Sequence, residues 1–475
     1  MITFIASIVL LILGYIIYGK ISEKIFGMDE KRPTPAMVNP DGVDYVPMPW
    51  WKIFLIQFLN IAGLGPIFGA VMGVMFGSAA FLWIVLGTIF AGAVHDYMSG
   101  MMSVRMNGAS QSEIVGSQLG QGIKQFMRGF SLVLMILVGA VFVSGPAGLL
   151  AGLTPGAINA TWWAVIVFIY YMLATLLPID KLIGKIYPVF GFALLFMAVG
   201  IMTAMFVNNA PIPEITDGLS NLHPKNLPIF PIMFVSIACG AISGFHATQS
   251  PLMARCMQNE KYGRRVFYGS MVAEGIVALI WAAAASSFFG SIQGLQEFVA
   301  GQAPNANKPA IVVDLISREW LGTFGGILAL LGVIAAPLTS GDTALRSARL
   351  IVADFLKIEQ KSMTKRLMIS IPIFVLTFLL LLVDFDIIWR YFAWFNQTLA
   401  VFTLWAVTVY LYKNNKFYWI SAIPAIWMTG VTSTYILVAP EGFGLPTLYG
   451  YIGGGIITLI VMILFWRFTR KEVSK

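Results

Sequence analysis

The sequence predicts an all-α polytopic membrane protein with about 13 transmembrane helices. The first observation is composition: of 475 residues, 58% are hydrophobic and 11% are charged, with a mean hydropathy of +0.82. Soluble domains carry charge on about a quarter of their residues, so an ordinary water-soluble fold is excluded. The second observation is a series of apolar stretches about 20 residues long, the length that crosses a bilayer. The third is a pair of interrupted stretches that lie five spans apart.

The apolar stretches follow one another along the whole chain and form one transmembrane domain, residues 1–475. Lipid offers no hydrogen bonds, so stretches of this length must be helices that satisfy their own backbone. The first stretch lacks the basic start and small-residue cleavage site of a signal peptide, so a genuine span is expected there. The predicted spans are residues 2–19, 52–76, 79–103, 129–152, 160–178, 185–207, 229–252, 264–290, 321–350, 367–385, 388–411, 416–438 and 446–468.

The connecting segments contain fewer structural signals. Ser110 and Glu113 have the spacing of a capping box, which predicts a short helix after the third span. An amphipathic piece is expected at 309–320, and the loop 20–51 shows no clear fold.

Lysine and arginine set the orientation, because cytoplasmic loops of membrane proteins are enriched in both. With the N-terminus outside and the C-terminus cytoplasmic, only four of the 30 basic residues fall on the outer side, namely Lys225, Lys308, Arg318 and Arg390. Membrane topology therefore accounts for the net charge of +8. A nucleic-acid partner is not expected, and the lipid bilayer is the expected partner instead.

Two of the predicted spans contain helix-breaking runs. Residues 60–69 include three glycines and a proline, and residues 239–251 combine glycine, proline and many polar groups. Because five is an odd number of spans, the two runs cross the membrane in opposite directions. This favours an inverted repeat of two five-helix halves with a discontinuous first helix in each. The halves would be residues 52–207 and 229–411, with an extra helix at 1–19 and two more at 416–468.

The two breaks are the predicted substrate site. Unwound backbone is tolerated at membrane depth only where it lines a cavity or is buried in protein. Helix N-termini suit a carboxylate, and freed carbonyls suit a cation. The alternative is that both runs are kinks for close helix packing. The predicted substrate-binding residues are Gly63, Leu64, Gly65, Pro66, Ser243, Gly244, Phe245, His246, Thr248 and Gln249.

Ionisable residues inside spans are costly and are therefore candidates for ion coupling. His246 lies within the second break, where it suits proton coupling or a neutral structural hydrogen bond. Glu274 lies about 13 Å beyond the inner boundary, at about 1.5 Å per residue from Arg265. The pair His95-Asp96 favours either a proton relay or a structural hydrogen bond. Asp342 is a further candidate, but Arg346 lies one helical turn away and is its alternative partner.

Several motifs, in order along the chain, resemble those of the carbon starvation protein A (CstA) family. They are Arg32-Pro33-Thr34-Pro35-Ala36, Asp41-Gly42-Val43-Asp44-Tyr45-Val46-Pro47, Ile61-Ala62-Gly63-Leu64-Gly65-Pro66, Ala91-Gly92-Ala93-Val94-His95-Asp96, Ser243-Gly244-Phe245-His246, and Thr339-Ser340-Gly341-Asp342-Thr343-Ala344 with Arg346-Ser347-Ala348-Arg349. The resemblance extends over most of the chain. It implies a bacterial inner-membrane uptake protein for peptides or pyruvate, linked to carbon starvation, with a LeuT-like 5+5 inverted repeat.

Fold analogy with LeuT-like transporters also implies a sodium site. It would lie between the first broken helix and the eighth helix of the repeats, at Ala62, Pro66, Thr339 and Ser340. The segment Ala247-Thr248-Gln249-Ser250-Pro251 departs from the Ser/Gly-richer stretch of the family, so the resemblance does not carry over the substrate.

The leading hypothesis is a secondary active transporter that imports a small carboxylate-bearing nutrient, either short peptides or pyruvate. It would use a proton or sodium gradient, no other cofactor and no enzymatic step. A membrane-embedded hydrolase using His95, Asp96 and Ser99 is a second class, but GxSxG and HExxH motifs are absent from the sequence. A nutrient sensor is a third class. The tail after Trp466 is too short for an output domain.

Overall fold

The protein is helical throughout the part of the chain that the computed structural model describes. These residues are 1–40, 45–154, 156–176, 180–303, 306–358 and 362–473. The Asp41–Asp44 part of the family-like motif and the end of the predicted 160–178 span lie outside them. Within these ranges, the only β-type pairing is an isolated bridge between Met48 and Met257.

Nine of the described helices are long and apolar enough to cross a membrane, and a bent pair of helices makes a tenth candidate span. The chain is therefore a multi-pass membrane protein. The nine are Ile2–Phe26, Ala79–Arg105, Gln121–Leu153, Val189–Val207, Glu260–Phe288, Met363–Leu380, Phe385–Lys413, Trp419–Val438 and Thr447–Arg470. The bent pair is Trp50–Ile61 and Leu64–Val74, with an angle of 48° between them. Val189–Val207 is the apolar part of the helix Asp180–Val207. The remaining helices include Pro35–Val38, Gln111–Leu119, Ala160–Leu176, Ile229–Met233, Phe234–Ser236, Ala238–Ala241, Gly244–Ala254, Ile292–Ala300 and Lys308–Leu356.

Some helices extend beyond their predicted apolar stretches. The first helix runs to Phe26 rather than to residue 19, and it ends at Gly27, whose φ of +71° is a left-handed conformation that favours glycine. Phe26 is fully buried, so packing extends the helix beyond its apolar stretch. The amphipathic piece predicted at 309–320 and the ninth span predicted at 321–350 meet at a kink at Gly322, which has a φ of +67° and lies within Lys308–Leu356. The capping box at Ser110 and Glu113 is confirmed at the start of Gln111–Leu119.

Burial separates a central group of helices from peripheral ones. In the most apolar 18-residue stretch of Ala79–Arg105, and likewise of Glu260–Phe288, 83% of the residues are buried. The corresponding share in Thr447–Arg470 is 11%. A helix that is apolar all round and mostly exposed faces lipid. The two central helices pack against the broken spans, so they form the wall against which the candidate site is built.

A buried ionic cluster ties the central helices together at one end. The Glu260 carboxylate is fully buried and accepts two hydrogen bonds from Arg105, at 3.0 and 2.9 Å. It also accepts the backbone N–H of Asp29 at 3.0 Å. Arg105 in turn donates to the carbonyl of Gly27 at 2.7 Å, and its guanidinium lies 4.3 Å from the centre of the Phe26 ring. The cluster therefore joins the N-terminal helix, Ala79–Arg105 and Glu260–Phe288.

We expect Glu260→Gln to lower the stability of the protein, because breaking a buried ion pair leaves the Arg105 charge uncompensated. The expected loss is about 3–5 kcal/mol, measured as a lower apparent melting temperature in detergent. Glu30→Gln is the control, since Glu30 pairs with Lys261 at 3.4 Å on the surface and exposed pairs contribute about 1 kcal/mol or less. Equal melting temperatures for the two variants would contradict the structural role of Glu260.

Candidate functional site

The first broken span stops being helical at Ala62 and Gly63. Ala62 has a ψ of 45° and Gly63 a ψ of −138°, and the helix restarts at Leu64. Pro66 lies in the first turn of the new helix, where a missing N–H costs nothing. The carbonyl of Asn60 is freed by the break and accepts the Ser340 hydroxyl at 3.0 Å. The break predicted from the glycines is therefore present, and Ser340 satisfies one of its carbonyls.

The second broken span is interrupted at Ile242 and Ser243, which are extended. They lie between three short helices, Ile229–Met233, Phe234–Ser236 and Ala238–Ala241, and the helix Gly244–Ala254. The side-chain oxygen of Asn396 holds this break. It accepts the Ser243 hydroxyl at 3.0 Å and the Phe245 N–H at 2.7 Å. One of the backbone donors predicted to bind a carboxylate is thus occupied by the protein itself.

Asn396 was missed by the sequence analysis, which considered only ionisable groups at depth. The signal was available, because Asn396 and Gln397 are adjacent amides in the middle of an apolar span. Gln397 donates to the carbonyl of Phe234 at 2.6 Å, on the other half of the same broken span. Both amides therefore form hydrogen bonds with the backbone of the second broken span.

Glycines allow close packing at both breaks: Gly65 packs against Cys239 of the second broken span, and Gly244 packs against the Phe385–Lys413 helix. A Cβ atom on Gly65 would lie 2.3 Å from both the Cβ and the Sγ of Cys239. A Cβ on Gly244 would lie 2.5 Å from the backbone of Asn396 and Ala400. The Cys239 thiol also accepts a hydrogen bond from the Asn396 amide at 3.1 Å. Close packing, proposed above as the alternative, is thus the geometric reason for these two glycines.

Four of the predicted ion-coupling residues form one continuous buried chain. His95 Nδ1 lies 2.7 Å from Asp96 Oδ1, and Asp96 Oδ2 lies 2.8 Å from His246 Nδ1. His246 Nε2 lies 3.3 Å from Glu274 Oε2, a close ionic contact without hydrogen-bond alignment. All four side chains are 0% exposed. The chain therefore links the Ala79–Arg105 helix, the second break and the Glu260–Phe288 helix.

This chain has the composition of a proton carrier. Two buried carboxylates face two imidazoles. The group has no net charge when both carboxylates are ionised and both imidazoles are protonated. Burying an uncompensated charge is costly, so protons on these residues are strongly linked to one another. Imidazole can pass a proton from one ring nitrogen to the other, which suits transfer between Asp96 and Glu274.

The remaining predicted residues lie at or beside the breaks. Thr248 donates to the carbonyl of Phe245 at 2.6 Å, and Gln249 donates to Thr248 at 3.1 Å. Within the described part of the chain, the Oε1 of Gln249 is buried without a hydrogen-bond partner. Thr339 donates to its own helix at the carbonyl of Ala336. The Ser340 hydroxyl, also part of the predicted sodium site, donates to the carbonyl of Asn60 at the first break.

Asp342 is not seen to join the buried chain. Its carboxylate lies 3.5 Å from Arg346, one helical turn along Lys308–Leu356, as the alternative interpretation predicted. Arg346 also donates to the carbonyl of Ala174 at 2.8 Å. Asp342 therefore stabilises a contact between two helices, and its predicted ion-coupling role gains no support from the geometry.

The fold is similar to that of a bacterial manganese transporter of known structure. Two crystal structures of mutants of the Eremococcus coleocola manganese transporter superpose with TM-scores of 0.58 and 0.56. Each superposition covers 92% of this chain and 99% of the transporter, at 11% and 12% sequence identity. At this identity the likeness concerns the fold alone.

The protein belongs to the CstA family. The family model described as "Carbon starvation protein CstA" matches residues 1–159, 155–308 and 286–435. The family predicted from the motifs is therefore confirmed.

Relatives include both unnamed and named membrane proteins. An uncharacterized membrane protein of Haemophilus influenzae is 45% identical over 63% of this chain and 94% of its own length. The peptide transporter CstA of Bacillus subtilis is 29% identical over 59% of this chain and 57% of its own length. The pyruvate/proton symporter BtsT of Escherichia coli is 28% identical over 59% of this chain and 48% of its own length. The chain thus matches about half the length of the named transporters.

We expect Gly65→Ala to disrupt the contact between the breaks, because the added methyl group would overlap Cys239. Folded yield in detergent should fall severalfold. Adding Cys239→Gly removes the overlapping side chain and should recover part of the yield.

Gly129→Ala serves as the control, since a Cβ on this helical glycine meets nothing within 4 Å. It should gain up to about 1 kcal/mol of stability. A Gly65→Ala protein that folds as well as this control would contradict the close approach.

Proposed function

We propose that the protein is a secondary active transporter that imports a small carboxylate-bearing nutrient, a short peptide or pyruvate, together with protons. The observation that carries the proposal is the buried chain His95–Asp96–His246–Glu274, in which His246 lies beside the second break. Ionisable residues at membrane depth mark ion pathways. A relative named as a pyruvate/proton symporter agrees with this chemistry.

The proposed architecture is the 13-span arrangement with two inverted five-helix halves. Two spans broken near their middle, five spans apart, support it, as does the likeness in fold to the manganese transporter. The N-terminus would lie outside and the C-terminus in the cytoplasm of a bacterial inner membrane, on the distribution of Lys and Arg.

The proposed substrate site lies where the helices restart, at Leu64 and Gly244. Each restart is a helix N-terminus, whose partial positive charge favours the substrate carboxylate. Asn396 already accepts the N–H of Phe245, so the first break contributes the more accessible backbone donors. Cys239 lies between the two breaks and is the side chain most directly placed to sense a bound molecule.

Protons would couple to transport through the position of His246. His246 belongs to the broken span, whereas Asp96 and Glu274 belong to the two central helices. Any movement of the broken span relative to these helices separates His246 from one or both carboxylates. A carboxylate separated from His246 at membrane depth must take up a proton or reach water, so the conformation sets the protonation.

Sodium coupling is the second candidate, favoured by one observation. The carbonyl of Asn60 and the hydroxyl of Ser340 are hard oxygen ligands that already meet at the first break, at 3.0 Å. Sodium would replace the hydroxyl hydrogen as the partner of the carbonyl. The carboxylates of the buried chain favour protons as the principal coupling ion.

Proton coupling is tested by uptake of labelled pyruvate and dipeptides into proteoliposomes with an imposed pH gradient. We expect His246→Gln and Glu274→Gln to reduce gradient-driven uptake by roughly a hundredfold, the scale of losing a proton-transfer group. Exchange of labelled for unlabelled substrate needs no net proton movement, so it should persist in Glu274→Gln.

Asp314→Asn is the matched control, because this carboxylate pairs with Arg318 at 2.8 Å outside the buried chain. It should retain gradient-driven uptake. Full gradient-driven uptake in Glu274→Gln would exclude proton coupling through this chain. Loss of uptake in Ser340→Ala together with a requirement for sodium would favour the second candidate.

The location of the substrate is tested separately with thiol labelling. The chain has two cysteines, Cys239 and Cys256, and both are buried. In a Cys256→Ser protein, we expect substrate to slow the reaction of Cys239 with a small maleimide severalfold. The Cys239→Ser protein reports Cys256 alone and should show no protection. Protection of Cys256 but not of Cys239 would move the substrate away from the breaks.

A further inference from the structure

A second buried charge cluster lies away from the proposed substrate site, near the end of the Lys308–Leu356 helix. Asp342, Arg346 and Arg349 lie on successive turns of this helix. Arg366, at the start of Met363–Leu380, is close enough for its positive charge to act on Arg349. The cluster therefore spans the junction between two consecutive helices.

Arg349 is the unusual member of this cluster. Arg349 is 5% exposed, yet its Nε and Nη1 atoms have no hydrogen-bond partner among the residues that the structure describes. The nearby carboxylate of Asp342 is in contact with Arg346 instead. Guanidinium cannot lose its charge in a protein, so these buried donors require an acceptor.

The charges around Arg349 define which acceptor fits. Arg346 and Arg366 both repel the Arg349 charge, while Asp342 attracts it. A site with two positive neighbours and buried N–H donors selects an oxyanion, and the planar guanidinium matches a phosphate or carboxylate with two parallel hydrogen bonds.

The surface beside the cluster is apolar. Leu350 and Phe355, on the same helix as Arg349, are 40% and 62% exposed. Leu367 and Met368, next to Arg366, are 37% and 57% exposed. Charged donors at the end of two membrane helices, flanked by exposed apolar side chains, have the layout of a lipid: a headgroup at the charges and acyl chains along the helices.

We propose that Arg349, with Arg346 and Arg366, binds the phosphate of an anionic phospholipid. Basic pockets between membrane helices are recognised sites for anionic headgroups. The headgroup oxygens would accept from Nε and Nη1 of Arg349, and the acyl chains would cover Leu350 and Leu367. This site is independent of the buried chain and of the proposed transport activity.

Binding is tested on the full chain in nanodiscs of phosphatidylcholine with or without phosphatidylglycerol. We expect phosphatidylglycerol to raise the apparent melting temperature by several degrees in the wild-type protein. Arg349→Gln should abolish the rise. Arg467→Gln, at an exposed arginine on the last helix, should keep it.

Two further measurements make the outcome decisive. Native mass spectrometry of the detergent-purified protein should show retained phosphatidylglycerol, with on the order of tenfold less in Arg349→Gln or, if that variant folds poorly, in Arg349→Lys. Inorganic phosphate or pyruvate, added to phosphatidylcholine nanodiscs, should not raise the melting temperature. An equal phosphatidylglycerol response in Arg349→Gln, or a response to the soluble anions alone, would overturn the proposal.

Discussion

The contact between the two broken spans is the constraint on which the rest of the structure depends. Unwound backbone in a membrane must find hydrogen-bond partners inside the protein. At the first break Ser340 supplies one, and at the second break Asn396 accepts the backbone N–H of Phe245 and the side-chain hydroxyl of Ser243. Gly65 has no side chain where the first broken span meets Cys239 of the second, and Gly244 has none where the second break meets the Phe385–Lys413 helix. Satisfied backbone and close packing are therefore achieved by the same few residues.

This contact also positions the titratable chain. Asn396 holds the N–H of Phe245, and His246 is the next residue, so its ring is directed by the end of the break. Asp96 then meets one ring nitrogen and Glu274 lies near the other. The two carboxylates sit on heavily buried helices that are far apart in sequence. A shift of the second break would change both contacts together, which is the property that a coupling device needs.

The sequence allowed the positions of both breaks and the family to be predicted, because glycine, proline and polar residues are rare enough in apolar spans to stand out. It also identified His95, Asp96, His246 and Glu274 individually. It could not show that they form one chain, because His95 and Glu274 are joined only by the packing of separate helices. Asn396 was missed because only ionisable groups were considered, although the two adjacent amides stand out in an apolar span. Arg349 was missed because the role of an arginine in a helix depends on what lies opposite it. Two roles were predicted for Asp342; its contact with Arg346 agrees with the structural one, and the ion-coupling role stays a prediction.

The second broken span is held at two points that differ in their response to protons. At its middle, His246 contacts Asp96 and Glu274, and both contacts depend on protonation. The span ends at Ala254, and six residues further on Glu260 is held by Arg105 and by the backbone of Asp29. The guanidinium of Arg105 stays charged at every physiological pH. The Arg105–Glu260 ion pair therefore holds its position whether or not protons bind, whereas the contacts of His246 change when protons bind. Proton binding would therefore act on the middle of the span while its end stays in place, and bending at the break is the movement that this arrangement permits.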